Sequence, residues 1–134
     1  VDDQSISLKG KNFDILLVDS LGELLYFYPL ADVVFMGGSL VERGGHNFLE
    51  PASTQTAITT GPSLFNFAAL AECFTSAHAL AIAKDQNELS TLTLRLLAKA
   101  DERTALAQRA YQTWQAQNNN LSLYIELISQ FLKN

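Results

Sequence analysis

Short apolar runs alternate with helical patterns along this chain. Residues 15–18 (ILLV) and Val33–Met36 are apolar on both faces, as a buried strand of a parallel sheet is. Ala57–Thr60 is a third such run, and residues 80–83 (LAIA) form a weaker fourth whose alanines also suit a helix. Because these runs alternate with helices, the pattern predicts an α/β fold with about four parallel strands.

Three longer helices are predicted from apolar residues at i, i+3, i+4 and i+7 spacing. Asp85 and Glu88 form a variant capping box at the start of the second helix, and Asp101 is predicted to cap the third. Three asparagines at 118–120 predict a break before a last amphipathic helix over residues 121–131, a helical C-terminal tail. The predicted apolar faces are Phe67, Leu70, Ala71 and Phe74; Leu89, Leu92, Leu96 and Leu97; and Leu106, Ala110 and Trp114.

Composition restricts the class of protein and its partners. With 134 residues, 48% hydrophobic and 17% charged, the chain suffices for one domain with a real core. Nine basic against fourteen acidic residues give a net charge of −5. The basic residues are scattered, so no nucleic acid is expected as a partner. The opening Val1-Asp2-Asp3, without a start Met or signal peptide, is expected to mark a cut inside a longer protein.

Cysteine content and hydropathy exclude further classes of site. Cys73 is the single cysteine, so no intrachain disulfide forms, and no four-ligand Cys/His spacing is present. We therefore predict no metal site and no cofactor. No apolar run reaches the roughly 18–20 residues that a membrane helix needs.

Glycines mark the carboxyl ends of the predicted strands, the edge where open α/β sheets bind ligands. The run 44–47 (GGHN) leads into a short helix predicted over residues 47–54, with Glu50 near its start. This arrangement favours an anion site whose carboxylate accepts hydrogen bonds from ribose hydroxyls. Two tight turns without a ligand are the alternative. Six of the seven glycines lie in these loops: Gly22, Gly37, Gly38, Gly44, Gly45 and Gly61.

Other chemically capable side chains admit mostly structural interpretations. His46 either contacts a ligand or braces its loop, whereas His78 is interpreted as structural or exposed. Cys73 is expected to be a buried small hydrophobe. No Ser-His-Asp set or close carboxylate pair is evident, so Glu50 is interpreted as a binding group rather than a base. The aromatic residues Tyr26, Tyr28 and Trp114 are assigned to packing.

Several loop segments form a distinctive set: residues 19–24 (DSLGEL), 37–47 (GGSLVERGGHN) and 49–52 (LEPA), extended by Gly61-Pro62 and Asn66-Phe67. Together these segments resemble one known family, the 3-deoxy-D-manno-octulosonic acid (Kdo) transferases. It implies a glycosyltransferase of the GT-B class that moves Kdo from CMP-Kdo to the lipid A precursor lipid IVA in lipopolysaccharide biosynthesis. The family works at the cytoplasmic face of the bacterial inner membrane.

The resemblance also implies how much of the enzyme this chain contains. Residues 1–134 correspond to part of the C-terminal, Rossmann-like, CMP-Kdo-binding domain. The N-terminal domain, with the acceptor site, the membrane anchor and the catalytic glutamate, has no counterpart. The chain alone is therefore expected to be inactive and to hold no catalytic residue. The alternatives are the donor domain of another GT-B nucleotide-sugar transferase and a non-catalytic sugar-nucleotide-binding module.

The resemblance carries site roles over to individual positions. One group would lie against the cytidine, a second would hold the ribose and phosphate, and a third is of lower rank. These groups are Leu21, Gly22 and Glu23; Asn47, Phe48, Leu49 and Glu50; and Ser39, Gly45 and His46. The family usually has proline at Phe48, glycine at Gln55, proline at Ala57 and histidine at Ser63. Since proline suits a first helical turn, we expect a looser helix start after Asn47.

The alignment further predicts an incomplete sheet. In the strand order 3-2-1-4-5-6 of a six-stranded half, residues 15–18 would be the third strand and Val33–Met36 the fourth. The first two strands, which lie between them, are absent. Either the early strand moves beside Val33–Met36, or two chains pair through their open edges. We favour self-association.

Overall fold

Three parallel strands form the sheet. They are β1 (Val33–Met36), β2 (Ala57–Thr60) and β3 (Ala81–Ile82), in the order β1-β2-β3. Val33 lies opposite Ala57 in the first pair, and Thr59 lies opposite Ala81 in the second. The computed structural model describes residues 14–131, with side chains described from 14 to 118. The predicted α/β fold with a parallel sheet is confirmed.

Helices cover both faces of this sheet. Side chains alternate along β2, so Ile58 packs with Phe48 and Phe74 on one face while Ala57 packs with Leu96 on the other. All four β2 residues are buried, as its double-sided apolar pattern predicts. No helix in the described part of the chain is long and apolar enough to cross a membrane. The helices are α1 (Leu24–Phe27), α2 (Leu49–Ser53), α3 (Ala68–Ser76), α4 (Gln86–Ala98) and α5 (Ala100–Phe131), with 3-10 turns at Tyr28–Leu30 and Phe65–Phe67.

The predicted capping box is present at the start of α4. Asp85 Oδ1 accepts hydrogen bonds from the backbone N–H groups of Asn87 and Glu88, both at 2.9 Å. Glu88 Oε2 in turn accepts from the Lys84 N–H at 2.8 Å. The predicted cap at Asp101 is wrong, because α5 begins at Ala100 and Asp101 lies within its first turn. Its charge is still favourable there, near the positive end of the helix dipole.

Most predicted apolar faces are confirmed, but three side chains that were predicted to be buried or packed are exposed: Cys73, Leu97 (48% exposed) and Tyr26. Ala71 and Phe74 of α3 are buried, but Cys73 is exposed, so its predicted burial is wrong. A helix turns by about 100° per residue, so the position before Phe74 faces solvent. Tyr26 is 76% exposed and does not pack, whereas Tyr28 is buried. The buried or partly buried residues of the two later helices include Leu89, Leu92, Leu96, Leu106, Ala110 and Trp114.

The predicted strand at residues 15–18 is wrong, so the sheet within residues 14–131 has three strands rather than about four. Ile15 and Leu17 are 87% and 84% exposed. Within residues 14–131, β1 pairs only with β2, and its other edge carries no strand. A strand needs a neighbour to satisfy its backbone groups, and this segment has none. The apolar pattern of residues 15–18 suits a buried strand, but the pattern does not tell whether another strand lies beside it to form the backbone hydrogen bonds.

The predicted helix break at 118–120 is also wrong. Helix α5 continues through the three asparagines to Phe131. Asparagine costs a helix only up to about 0.7 kcal/mol per residue relative to alanine, far less than proline, so three in succession do not end a long helix. The predicted last helix is therefore the end of α5. Its side chains beyond 118, and residues 132–134, lie outside the described part.

Candidate functional site

Ser39 joins the loops that follow β1 and β2 at the carboxyl edge of the sheet. Its side chain is fully buried, and its hydroxyl donates to the Met36 carbonyl at 2.5 Å. The same oxygen accepts from the Gly61 N–H at 2.7 Å, and the Ser39 carbonyl accepts from the Ser63 N–H at 2.9 Å. This lower-ranked site candidate is thus engaged in holding two loops together.

Gly61 makes the closest of these loop contacts. A β-carbon at this position would lie 2.3 Å from the Ser39 carbonyl oxygen and 2.6 Å from the Leu40 nitrogen. Both atoms belong to the backbone, so no side-chain movement relieves the overlap. The glycine that the sequence placed after the third apolar run is required by this approach of two backbones.

The glycine pair Gly44-Gly45 turns the chain back toward the end of β1. Both residues are buried and left-handed, with φ of +81° and +67°. The Gly44 N–H donates to Ser63 Oγ at 3.1 Å, and the Gly45 N–H donates to the Gly38 carbonyl at 3.3 Å. Both amides are therefore used inside the protein. The lower-ranked candidate Gly45 shapes the loop, and its N–H is already bonded.

His46 and Asn47 emerge from this loop into solvent. The His46 ring lies along the β1 loop, 3.6 Å from where a β-carbon on Gly37 would sit. Bracing of the loop and contact with a ligand are both compatible with that position. Asn47 Oδ1 accepts from the N–H of Leu49, the first residue of α2, at 3.0 Å, while no hydrogen bond of its amide nitrogen occurs among residues 14–118.

Phe48 and Leu49 point into the core. Phe48 is fully buried, with its ring edge-on to Phe74 at 5.0 Å and to Phe67 at 5.8 Å between centroids. Leu49 is partly buried against the same cluster. Any contact of Phe48 with a ligand is therefore confined to its backbone, whereas the partly buried Leu49 side chain retains some accessible surface. The large Phe48 ring anchors the start of α2, whose first residue is Leu49. The family usually has proline at the position of Phe48.

Glu50 is exposed in the first turn of α2, beside the buried Tyr28. Burial raises the pKa of the Tyr28 hydroxyl above its usual 10.0, and the charge of Glu50 and a hydrogen bond to it raise that pKa further. The phenol therefore stays protonated at neutral pH beside the carboxylate. The Tyr28 carbonyl is fixed in turn, because it accepts from Thr56 Oγ1 at 2.8 Å.

Leu21, Gly22 and Glu23 form a separate exposed turn before α1. Leu21 is fully exposed, Gly22 is left-handed with φ of +82°, and Ser20 Oγ donates to the Glu23 carboxylate. Within the described residues, no hydrogen bond links this turn to the loop containing His46. Within the Gly45–Glu50 segment the structure exposes His46, Asn47 and Glu50, whereas Leu21, Gly22 and Glu23 form a separate exposed turn.

Gln55 reveals why the family usually has glycine there. It follows α2 in the left-handed conformation, with φ of +57°. The Gln55 N–H donates to the Ala52 carbonyl at 3.1 Å, and the Thr56 N–H donates to the Pro51 carbonyl at 3.0 Å, which closes the helix end. Glutamine adopts this conformation at a cost of about 1 kcal/mol relative to glycine. The departure leaves the turn intact.

Three residues outside the predicted site support it. They are Tyr28, which lies beside Glu50; Ser63, which accepts from Gly44; and Asn66, which donates to the Arg43 carbonyl at 2.9 Å. The sequence assigned Tyr28 to packing and predicted no role in the site for any of the three residues. The signal available was the Asn66-Phe67 pair in the resemblance, since an asparagine between two phenylalanines in an apolar stretch calls for a polar partner.

A cavity in the described part of the chain lies away from the predicted site. It has a volume of about 480 Å³ and lies between β3, α4 and α5, lined by residues that include Leu80, Leu96 and Arg109. None of the predicted site residues lines it. The predicted site is instead an open surface at the sheet edge, and no group of three or more His, Cys, Asp or Glu side chains in the searched residues can hold a metal ion.

Curated relatives match most of this chain, although no protein-family model does. Over 127 residues it is 30% identical to the 3-deoxy-D-manno-octulosonic acid transferase of Haemophilus influenzae, a match that covers 94% of this chain and 30% of that protein. It is 36% identical over 107 residues to the enzyme of the same name from Bordetella pertussis, covering 80% of this chain and 25% of that protein. The chain therefore spans less than a third of the length of these relatives.

A solved structure shares the fold. It is the crystal structure of the C-terminal CMP-Kdo binding domain of WaaA from Acinetobacter baumannii, with a TM-score of 0.68 and 37% sequence identity. The match covers 73% of this chain and 51% of that one. The architecture predicted from the sequence is thus that of half of a known nucleotide-sugar-binding domain.

Proposed function

Because the chain is homologous to one part of the Kdo transferases, we propose that it is the donor-binding part of such an enzyme. The enzyme would move Kdo from CMP-Kdo to the lipid A precursor lipid IVA. The observation that carries the proposal is the exposed carboxylate of Glu50 beside the glycine loop at the carboxyl edge of the sheet. That edge is where open α/β sheets bind nucleotides.

In the proposed complex, Glu50 accepts hydrogen bonds from the two ribose hydroxyls of CMP. Its carboxylate suits this role because it is solvent-accessible and lies close enough to the Tyr28 hydroxyl to raise the pKa of that phenol. The free amide nitrogen of Asn47 donates to the phosphate, and the backbones of Phe48 and Leu49 complete the contact. Leu21, Gly22 and Glu23 lie against the cytidine. His46 is a further contact at the same surface.

The chemistry of transfer belongs to the full-length protein under this proposal. Residues 1–134 are part of the C-terminal domain of a GT-B enzyme, and the catalytic glutamate and acceptor site lie in an N-terminal domain. That enzyme works at the cytoplasmic face of the inner membrane. No residue of this chain acts as general base, so the chain alone binds the donor without transferring Kdo.

Replacement of Glu50 by glutamine is expected to weaken CMP binding. Loss of a charged acceptor for hydrogen bonds costs about 1.5–3 kcal/mol, or roughly ten- to hundredfold in affinity. Isothermal titration of the full-length protein with CMP measures the effect. The matched control is Glu72→Gln on α3, an exposed glutamate away from the loops, which should leave affinity unchanged. Unchanged CMP affinity with abolished transfer would instead make Glu50 catalytic.

We also propose that the chain on its own associates with itself through the open edge of β1. Phe35 on that strand is 41% exposed, and the apolar segment 15–18 is uncovered. Unpaired strand edges pair readily with another chain. Light scattering of the purified 134-residue chain is expected to give a mass above 14.7 kDa that rises with concentration. A monomer at high concentration refutes the association.

A further inference from the structure

The 3-10 turn Phe65–Phe67 holds the exposed pair His46 and Asn47 from both flanks. Upstream of the pair, Asn66 Nδ2 donates to the Arg43 carbonyl at 2.9 Å and to the Gly45 carbonyl at 3.5 Å. Downstream, the Phe67 ring packs edge-on against Phe48. One short turn, distant in sequence, therefore fixes the chain immediately before and after the two polar residues.

The loop is shaped around the Asn66 amide. A β-carbon on Gly44 would lie 2.5 Å from both Cγ and Nδ2 of Asn66, so the amide fills the space that a side chain at 44 would take. The two amide hydrogens match two carbonyl acceptors on either side of Gly44. Ser63 accepts from the Gly44 N–H and braces the other face of the same peptide.

The polar match makes Asn66 specific at this position. An aspartate of nearly the same shape has no hydrogen to donate and would place negative charge against two carbonyl oxygens. Asn66 itself is exposed at the surface, and the core does not depend on it. The loss of its hydrogen bonds is therefore expected to alter the loop more than the stability of the fold.

We propose that Asn66 is a positioning residue for donor binding, which acts by holding the Arg43–Gly45 backbone so that His46 and Asn47 face the ligand. This inference rests on the proposed function, in which that loop binds CMP-Kdo. Asn66 acts through the loop and need not touch the donor. The sequence resemblance to the family includes Asn66 but implies no role for it.

The test is Asn66→Asp in the full-length protein, with the affinity for CMP and the midpoint of thermal unfolding both measured. We expect CMP affinity to fall about tenfold, consistent with the loss of hydrogen bonds that order a binding loop, while the thermal midpoint stays close to that of the parent. Asn66→Ala, which removes the donors without adding charge, should give a smaller loss in the same direction. The matched control is Asn87→Asp at the exposed start of α4, which should bind CMP normally.

A double-mutant cycle separates positioning from a general loss of structure. If Asn66 acts through Asn47, then Asn66→Asp should weaken binding much less in an Asn47→Ala background than in the parent. Fully additive effects would overturn the inference, as would normal CMP affinity of both Asn66 variants. If Asn47→Ala and Glu50→Gln also bind CMP normally, the proposed function fails as well, so the two failures are distinguishable.

Discussion

Phe48→Ala is expected to lower the free energy of unfolding by about 3–5 kcal/mol. The Phe48 ring is fully buried between Phe67 and Phe74, in the cluster that joins α2 and α3 to the sheet. Truncation removes two edge-to-face contacts and leaves a cavity that the short helix α2 cannot close without losing its own anchor. The loss arises from packing, because the side chain is inaccessible to a ligand.

Equilibrium unfolding in urea, followed by circular dichroism, measures this loss. Phe65→Ala is the matched control, since that phenylalanine is 61% exposed and should change stability by no more than about 0.5 kcal/mol. A milder variant, Phe48→Leu, keeps most of the volume and should retain CMP affinity. A stability loss below about 1 kcal/mol for Phe48→Ala, at the low end of what mutations usually cost, would show that the ring is not a core residue.

Gly61→Ala is expected to cost about 3 kcal/mol or more, at the upper end of overpacking effects. The added β-carbon would meet the Ser39 carbonyl at 2.3 Å. Ser39 cannot retreat, because its hydroxyl and carbonyl are bonded to Met36, to Gly61 itself and to Ser63. The substitution therefore separates the loops after β1 and β2 and breaks buried hydrogen bonds.

Gly37→Ala is the control for this substitution in the same loop region. Its β-carbon would lie 3.6 Å from the His46 ring, an ordinary contact, and its φ is not left-handed. We expect a change in unfolding free energy within about 1 kcal/mol, of either sign. Equal stability losses for the two alanine variants would contradict the close backbone approach at Gly61.

Periodicity correctly predicted the helices and strands whose local sequence pattern is sufficient to identify them. β1 and β2 are short runs rich in apolar and β-branched residues, and α3 and α4 show apolar stripes, so the local sequence pattern identifies them although β1 is only partly buried. The segment 15–18 has the same composition but forms no strand, because a strand also depends on a hydrogen-bonding neighbour. The helix break at 118–120 failed for a different reason. The free-energy cost of asparagine within a helix is small compared with what favours the extension of a helix that has already formed.

The sequence predicts which loops lie at the carboxyl edge of the sheet better than it predicts the contacts within them. Glycines after apolar runs locate the loops, because parallel topology brings the carboxyl ends of strands to one edge. The inward direction of Phe48 and the engagement of Ser39 depend on packing between elements. The Asn66 contact joins residues 23 apart in sequence, which no local pattern contains. The sequence resemblance identified these positions without assigning their geometry.

Titration of the 134-residue chain with CMP, followed by amide NMR, tests the donor-binding claim most directly. The account predicts shift changes concentrated at Gly45, His46, Asn47 and Glu50, with smaller changes at Gly22, and strongly reduced changes in Glu50→Gln. It predicts no such changes around Leu96 and Arg109, which line the cavity between α4 and α5. An absence of shift changes at the loop after β1, or changes confined to that cavity, would contradict it.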